Sequence, residues 1–278
     1  MKENQFDPHV RFVRRRNITH SYATLIYAFD YRLFYGMGGT VTVELEDRCI
    51  SLEPSTFLVI PPGVGYRLHL QAASADFYLL NFDFDSTHTE APPRPPLAKE
   101  FFSREEVISQ FCIPPFETVF SLPGAYELEP LLREIERAEE MGAERARYVR
   151  SGLMKYLLCK AANLSDQRER GKESERIQAI KTYIEQNYSR PINNRSIASE
   201  MGYHPHYLNT CFLESEGITL HAYIETVRLR HAKELLTTTQ NPICEIARVC
   251  GFAEASYFTK FFTRHAGMTP KQYRELSM

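Results

Sequence analysis

Hydrophobic and polar residues change their period twice along this chain of 278 residues. Over the first third they recur in short runs broken by Gly, Pro or Asp: ATLIYAF, YRLFYGM, TVTVELE, CISL, TFLVIPPG, YRLHL and DFYLLNFDF. Between Thr40 and Glu46 the alternation is strict, with Val41, Val43 and Leu45 on one side. Successive side chains of an extended chain point to opposite faces, so these runs predict strands. Many short strands at this spacing predict a sandwich or a barrel. The proline-rich APPRPPL, residues 91–97, predicts a stiff surface segment that ends the module.

The period then lengthens to that of a helix. Leu128, Leu131, Leu132 and Ile135 recur at a spacing of three to four, and so do Val149, Leu153, Leu157 and Leu158. An apolar stripe does not say what it faces. These two suit a helix pair packed on the sheet or the seam of a dimer. SDQRERGKES, residues 165–174, breaks the periodicity and predicts an interdomain linker.

Beyond it every run is helical and punctuated. Ile177, Ile180, Tyr183 and Ile184 mark one amphipathic helix; Asn193 caps a short one carrying Ile197, Ala198 and Met201, which Gly202 ends. Another helix turns Leu208, Cys211 and Phe212 inward and stops at Gly217; a long one follows with Leu220, Tyr223, Ile224, Val227 and Leu235 inward. Asn241-Pro242 and Thr269-Pro270 each pair a capping side chain with proline at a helix start.

Composition adds less. With 43% hydrophobic and 24% charged residues the chain is an ordinary globular one, and 278 residues suffice for two cores. The formal net charge is -2, yet the part after residue 171 is slightly basic and the part before it acidic. That permits a nucleic-acid partner in the second part. The six cysteines form no C-x-x-C pair or zinc spacing, and Cys211, Cys244 and Cys250 fall at apolar helical positions, which predicts buried reduced thiols. Neither an N-terminal apolar targeting segment nor a membrane-length run is expected, and a cytoplasmic setting fits.

The helical part repeats itself. IASEMGYHPHYLNTCFLESEGIT, from Ile197, overlays IARVCGFAEASYFTKFFTRHAGMT, from Ile246. Ile197, Ala198, Gly202 and Tyr203 match Ile246, Ala247, Gly251 and Phe252; Leu208, Phe212, Gly217, Thr219 and Tyr223 match Phe258, Phe262, Gly267, Thr269 and Tyr273. The repeated unit is a helix, a glycine turn and a second helix, the build of a helix-turn-helix.

Ile243, Ile246, Ala247, Gly251, Phe252, Tyr257, Phe258, Phe262, Gly267, Thr269, Pro270, Tyr273 and Arg274 carry the signature of the AraC/XylS family of bacterial transcription regulators. The last hundred or so residues resemble that family, and RLRHAKELL, residues 228–236, resembles its connecting helix. The resemblance implies that His206, Asn209 and Thr210 in the first unit, and Ala255, Ser256, Thr259 and Lys260 in the second, face double-stranded DNA. Asn suits adenine, Lys guanine or phosphate, and Ala or Thr a thymine methyl. The chain departs from the family where Leu213 and Thr263 replace the usual lysine after the phenylalanine anchor. Glu214 and Glu216 further weaken the expected phosphate grip of the first unit, so that affinity leans on dimerisation.

The strand-rich module, through DYRLFYGMGGTVTVE and LVIPPGVGYRLH, resembles the cupin-like barrel that many such regulators carry as a sensor. Metal-dependent cupins hold their ion with an H-x-H and later Glu and His; here that place reads Asp30-Tyr31-Arg32, and His69 lacks a partner set. No metal, cofactor or catalytic residue is expected. A barrel of this size can hold one small ligand, with Arg32, Tyr35, Tyr66 and Arg67 as pocket candidates or else surface strand residues.

The expectation is an α+β chain: a cupin-like sensor over 1–115, a helical dimerisation region over 116–164, a linker over 165–174, and a DNA-binding domain over 175–278 with two helix-turn-helix units joined by a long helix. The resemblance implies a small-molecule effector, by family habit a sugar or related metabolite, and a homodimer as partners, with RNA polymerase as a further one. The alternatives are a metal-dependent cupin enzyme fused to a DNA-binding tail, and an alkyl-transfer repair sensor, which needs an activated cysteine cluster.

Overall fold

Alternation in the front part of the chain becomes antiparallel pairing. The computed structural model describes residues 6–86, 94–107 and 111–276. Its strands are β1 (His9–Ile18), β2 (Ile26–Tyr27), β3 (Tyr31–Gly38), β4 (Val41–Leu45), β5 (Cys49–Leu52), β6 (Phe57–Ile60), β7 (Gly65–Leu70), β8 (Ala75–Asp83), β9 (Leu97–Ala98) and β10 (Phe120–Leu122). They form two five-stranded sheets, ordered β1-β8-β3-β6-β10 and β5-β4-β7-β2-β9. Sequence reasoning missed β1, because VRFVRRRN reads as a charged surface stretch. It is an edge strand on β8, with Arg14, Arg15 and Arg16 exposed. Of the proline-rich stretch, residues 91–93 lie outside the described ones, while Leu97 enters β9.

The first sheet is buried on both faces. One face, with Phe34, Leu58 and Phe77, meets Val41, Val43, Leu45 and Leu68 of the second sheet. The other face carries Tyr31, Leu33, Tyr35, Val59, Leu80 and Phe82. Against it lie α1 (Glu129–Arg137) and the first part of α2 (Ala143–Asn187). Leu128, Leu132, Ile135, Leu157 and Leu158 are fully buried in this core. Covering each such side chain contributes about 1.5–3 kcal/mol, so the sheet accounts for stripes that would also have suited a dimer seam. Val149, at the edge of the second stripe, remains exposed.

The polar stretch 165–174 is not a break in the backbone. It is helical, inside α2, and the chain divides into two compact units within it, Met1–Arg168 and Glu169–Met278. Asp, Gln, Arg, Glu and Lys lack apolar periodicity, but the straight-chain residues among them are good helix formers. Loss of the stripe therefore marks a solvated turn, not the end of a helix. Lys172 and Glu169 pair across one turn there at 3.1 Å.

The second unit continues with α3 (Asn194–Glu200), α4 (Pro205–Glu216), α5 (Leu220–Thr238), α6 (Ile243–Val249), α7 (Ala255–Ala266) and α8 (Pro270–Leu276). Asn193 caps α3 through a reciprocal capping box with Ser196. The expected cap at Asn241 shifts: Pro242 itself is the first residue outside α6, and no side chain caps that end. Cys211 and Cys250 are buried as expected, and burial pushes the Cys250 thiol up to about 11; Cys244 instead faces outward. Among the described residues no helix is long and apolar enough to cross a membrane.

Candidate nucleic-acid interface

The two copies are built from the same local rules. α3 ends where the backbone N–H of Tyr203 reaches the carbonyl of Ala198 at 2.8 Å; α6 ends where Phe252 reaches Ala247 at 2.9 Å. α4 and α7 each stop at a left-handed glycine, Gly217 and Gly267, whose N–H bonds the carbonyl four residues back at 2.9 Å. One core gathers Ile197, Ala198, Leu208 and Phe212; the other gathers Ile246, Ala247, Phe258 and Phe262.

The repeat is longer than its sequence signature. Ile177, Ile180 and Ile184 of α2 enter the first core as Leu229, Ala232 and Leu236 of α5 enter the second, each pair 52 residues apart. Each copy is thus a three-helix unit, and α5 is both the connecting helix and the first helix of the second copy. The relation escaped the sequence comparison because Ile against Leu or Ala keeps the spacing without keeping the letters.

With one side buried, α4 and α7 expose the other. On α4, His206 and Leu213 are exposed and Thr210 is half-buried. Asn209 is half-buried too, and its Oδ1 accepts from Asn194 Nδ2 at 3.2 Å and from the Leu220 N–H at 3.3 Å. On α7, Ser256 and Lys260 are exposed, while Ala255 and Thr259 are half-buried. The Thr259 hydroxyl donates to the Ala255 carbonyl at 2.9 Å, and the Thr263 hydroxyl to the Thr259 carbonyl at 2.7 Å. Those hydroxyls are engaged within the helix, so their methyl groups are the remaining contact surface.

Arg264, one turn beyond Lys260 and exposed, was missed. The available signal was its place 50 residues after Glu214, where the first copy is acidic. Neither Lys260 nor Arg264 forms an ion pair among the described residues. The second copy therefore offers two unneutralised cations where the first offers Glu214, and Glu216 of the first pairs with Lys181 at 2.6 Å. Beside the start of α4, Arg176 donates to the hydroxyls of Tyr203 and Tyr207 at 3.0 and 2.8 Å and lies over both rings.

The first unit holds a cavity of about 460 Å³. Its floor is the face of the first sheet that carries Phe12, Arg32, Phe34, Phe77, Leu79 and Asn81; Tyr66 and Leu68 of β7 stand among the facing residues. Of the four candidates, Arg32, Tyr66 and Arg67 line it, whereas Tyr35 belongs to the opposite face, with its hydroxyl 3.4 Å from the Ala125 carbonyl. Odd and even residues of β3 face opposite ways, which separates Tyr35 from Arg32 and Phe34. The Arg67 guanidinium is held by Glu44 at 2.6 Å and the Ala23 carbonyl at 2.9 Å. Burial pushes the Tyr66 hydroxyl up to about 12. Arg32 pairs with buried Asp30 at 2.9 Å. Burial raises the Asp30 carboxyl to about 6, against the pull of Arg32. Among the described residues no group of three His, Cys, Asp or Glu is placed to hold a metal ion.

Residues 197–276 match a family described as a helix-turn-helix domain. The chain is similar to a bifunctional transcriptional activator/DNA repair enzyme, AdaA, of Bacillus subtilis: 34% identical over 119 residues, 43% of this chain and 54% of that protein. The chain thus spans about half the length of this relative. An uncharacterized HTH-type transcriptional regulator of the same organism, YisR, is 23% identical over 257 residues, covering 88% of this chain and 86% of its own. Among solved structures, the C-terminal domain of AraT, a response regulator from Geobacillus stearothermophilus, shares 30% identity with a TM-score of 0.37, over 37% of this chain and 86% of that one.

Proposed function

We infer that this chain, whose C-terminal unit is an AraC-type helix-turn-helix domain, is a transcription regulator that reads double-stranded DNA with α4 and α7. The observation that carries the reading is the duplication. Each three-helix copy buries one side of its last helix and leaves the other side polar. A major groove about 12 Å wide admits one such helix, so two copies suit two successive groove turns. His206, Thr210, Ser256 and Lys260 are assigned to base edges, with Ala255 and the methyl of Thr259 as apolar contacts. Asn209 keeps only its amide N–H groups for a base, and Arg264 is assigned to phosphate.

The N-terminal unit is read as a cupin-like sensor whose cavity takes a small-molecule effector. The protein acts in the cytoplasm as a homodimer, and the acidic first copy makes a second protomer's contacts valuable. RNA polymerase is the further partner such a regulator touches. Binding-site selection from a random duplex pool, with the full-length protein, tests the DNA reading. The expected product is a motif with two half-sites about 10–10.5 base pairs apart, bound with strongly salt-dependent affinity. Recovery of no motif would remove the reading.

A further inference from the structure

We propose that the cavity of the N-terminal unit binds a small organic acid, its carboxylate on Arg32 and its aromatic or branched aliphatic body between Phe12, Phe34, Phe77 and Leu79. This rests on the effector reading above and gives it a chemical class.

The charge of the wall is one-sided. Four arginines line the cavity and no Asp or Glu does. Three of them are answered from outside it, Arg32 by Asp30, Arg67 by Glu44 and Arg94 by Glu106. Arg16 forms no ion pair among the described residues, so the field inside favours an anion.

Arg32 supplies the anchor. Its side chain is 4% exposed, and Asp30 and the Arg94 carbonyl both engage Nη2, at 2.9 and 3.3 Å. Its Nε has no hydrogen-bond partner. A buried donor left without an acceptor forfeits the hydrogen bond it had in water, so the site is incomplete as it stands. A carboxylate oxygen on Nε completes it with a charge-assisted bond.

Asn81 lies directly opposite Arg32 in the β3–β8 ladder and shares its face. It is 6% exposed, and its Oδ1 also lacks a partner. A hydroxyl or amide N–H beside the ligand's carboxylate would satisfy that oxygen. The remaining wall is mostly apolar, and that decides against a sugar. A sugar needs a partner for nearly every hydroxyl, and here most would face Phe, Ile, Leu or Pro side chains.

The test uses the full-length protein, thermal shift and calorimetry. The probes are phenylacetate, 3-phenyllactate and 4-methylpentanoate, the neutral amides of the first and last, and xylose and glucose. The acids should bind and raise the melting temperature, and each amide should bind at least about tenfold more weakly than its acid. Arg32→Gln should erase that difference. Leu79→Trp, which fills the cavity while leaving Arg32 in place, should abolish binding of the acids. Parent-like melting temperatures of both variants in the absence of any probe show that they fold. Equal binding of acids and amides, or binding of the sugars alone, overturns the acid class and leaves the effector reading standing. Acid binding that survives Leu79→Trp also overturns the proposal, because the site then lies elsewhere. If no probe binds the parent protein, acid class and sensor reading fall together, and the selected DNA motif remains a separate result.

Discussion

The side-chain oxygen of Asn209 accepts a hydrogen bond from the backbone N–H of Leu220, 3.3 Å away. Asn194 Nδ2 donates to the same oxygen at 3.2 Å. One side chain on α4 thus joins the first residues of α3 and α5, so its acceptor would be unavailable to an adenine. Asn209→Ala is expected to lower stability by about 1 kcal/mol, and Asn209→Asp, which keeps the acceptor, by less. Urea midpoints of the two variants check this. An unchanged midpoint in the alanine variant would return Asn209 to the role of an unencumbered base reader.

Lys260 and Arg264 should act on affinity through charge. Each changed to alanine should reduce the slope of log affinity against log salt by about 1 if it meets a phosphate. Lys260→Ala should also relax base preference at one position, at about 1–3 kcal/mol, if it meets a guanine instead. Glu214→Gln should tighten binding at low salt. Salt titrations and site selection on the three variants separate these outcomes. Loss of neither slope nor preference in both cation variants would take α7 off the DNA.

The glycine turns of the two copies differ in what surrounds them. Gly202 and Gly251 both have positive φ, 72° and 81°. A Cβ on Gly202 would meet nothing within 4 Å, whereas on Gly251 it would stand 2.4 Å from the Tyr188 carbonyl oxygen. That oxygen accepts from Arg228 Nε at 2.9 Å, so it is held in place. Gly202→Ala should cost about 1–2 kcal/mol through its backbone alone. Gly251→Ala should cost clearly more, and it should also weaken DNA binding by displacing the Tyr188–Arg190 loop from α5. Thermal unfolding of both variants side by side is the measurement; equal losses would contradict it.

Asp30 predicts a pH dependence. Its folded-state carboxyl lies at about 6, above the ordinary 3.8, chiefly through burial; Arg32 and Arg11 lower it, and Asp83 raises it. The folded protein therefore holds this proton more firmly than the unfolded chain. The corresponding stability is present below about pH 4 and is lost as pH rises through 6. Asp30→Asn stays neutral throughout. Relative to the parent, the variant should gain on the order of 1 kcal/mol of stability between pH 5 and pH 7. Denaturant curves at both values check the sign, and a constant difference would place the Asp30 carboxyl outside that window.

Residues and spacing carried the helix-turn-helix reading because its determinants are local. A glycine at a left-handed turn, a proline at a helix start and anchors four residues apart act within a few residues of themselves, so Ile197–Tyr223 and Ile246–Tyr273 can be compared letter by letter. The strand runs were legible for the same reason. The charged edge strand β1 was not, since its place depends on β8, nearly seventy residues away. Nor was the helix through 165–174, where a solvated turn and a linker share one composition.

Other features exist only in three dimensions. The stripes on α1 and α2 could not name their partner until the first sheet covered them. Arg32 and Tyr35 stood together as pocket candidates until the pleat of β3 sent them to opposite faces. Asn209 looked like a free reader until Asn194 and Leu220 came within reach of it. By itself the sequence determined which segments are strands or helices and that one helical unit occurs twice, because those properties arise from short-range sterics and periodic burial. Only the tertiary structure decided which polar side chains remain open to a partner, because a hydrogen bond or a buried face depends on residues that the chain brings together from afar.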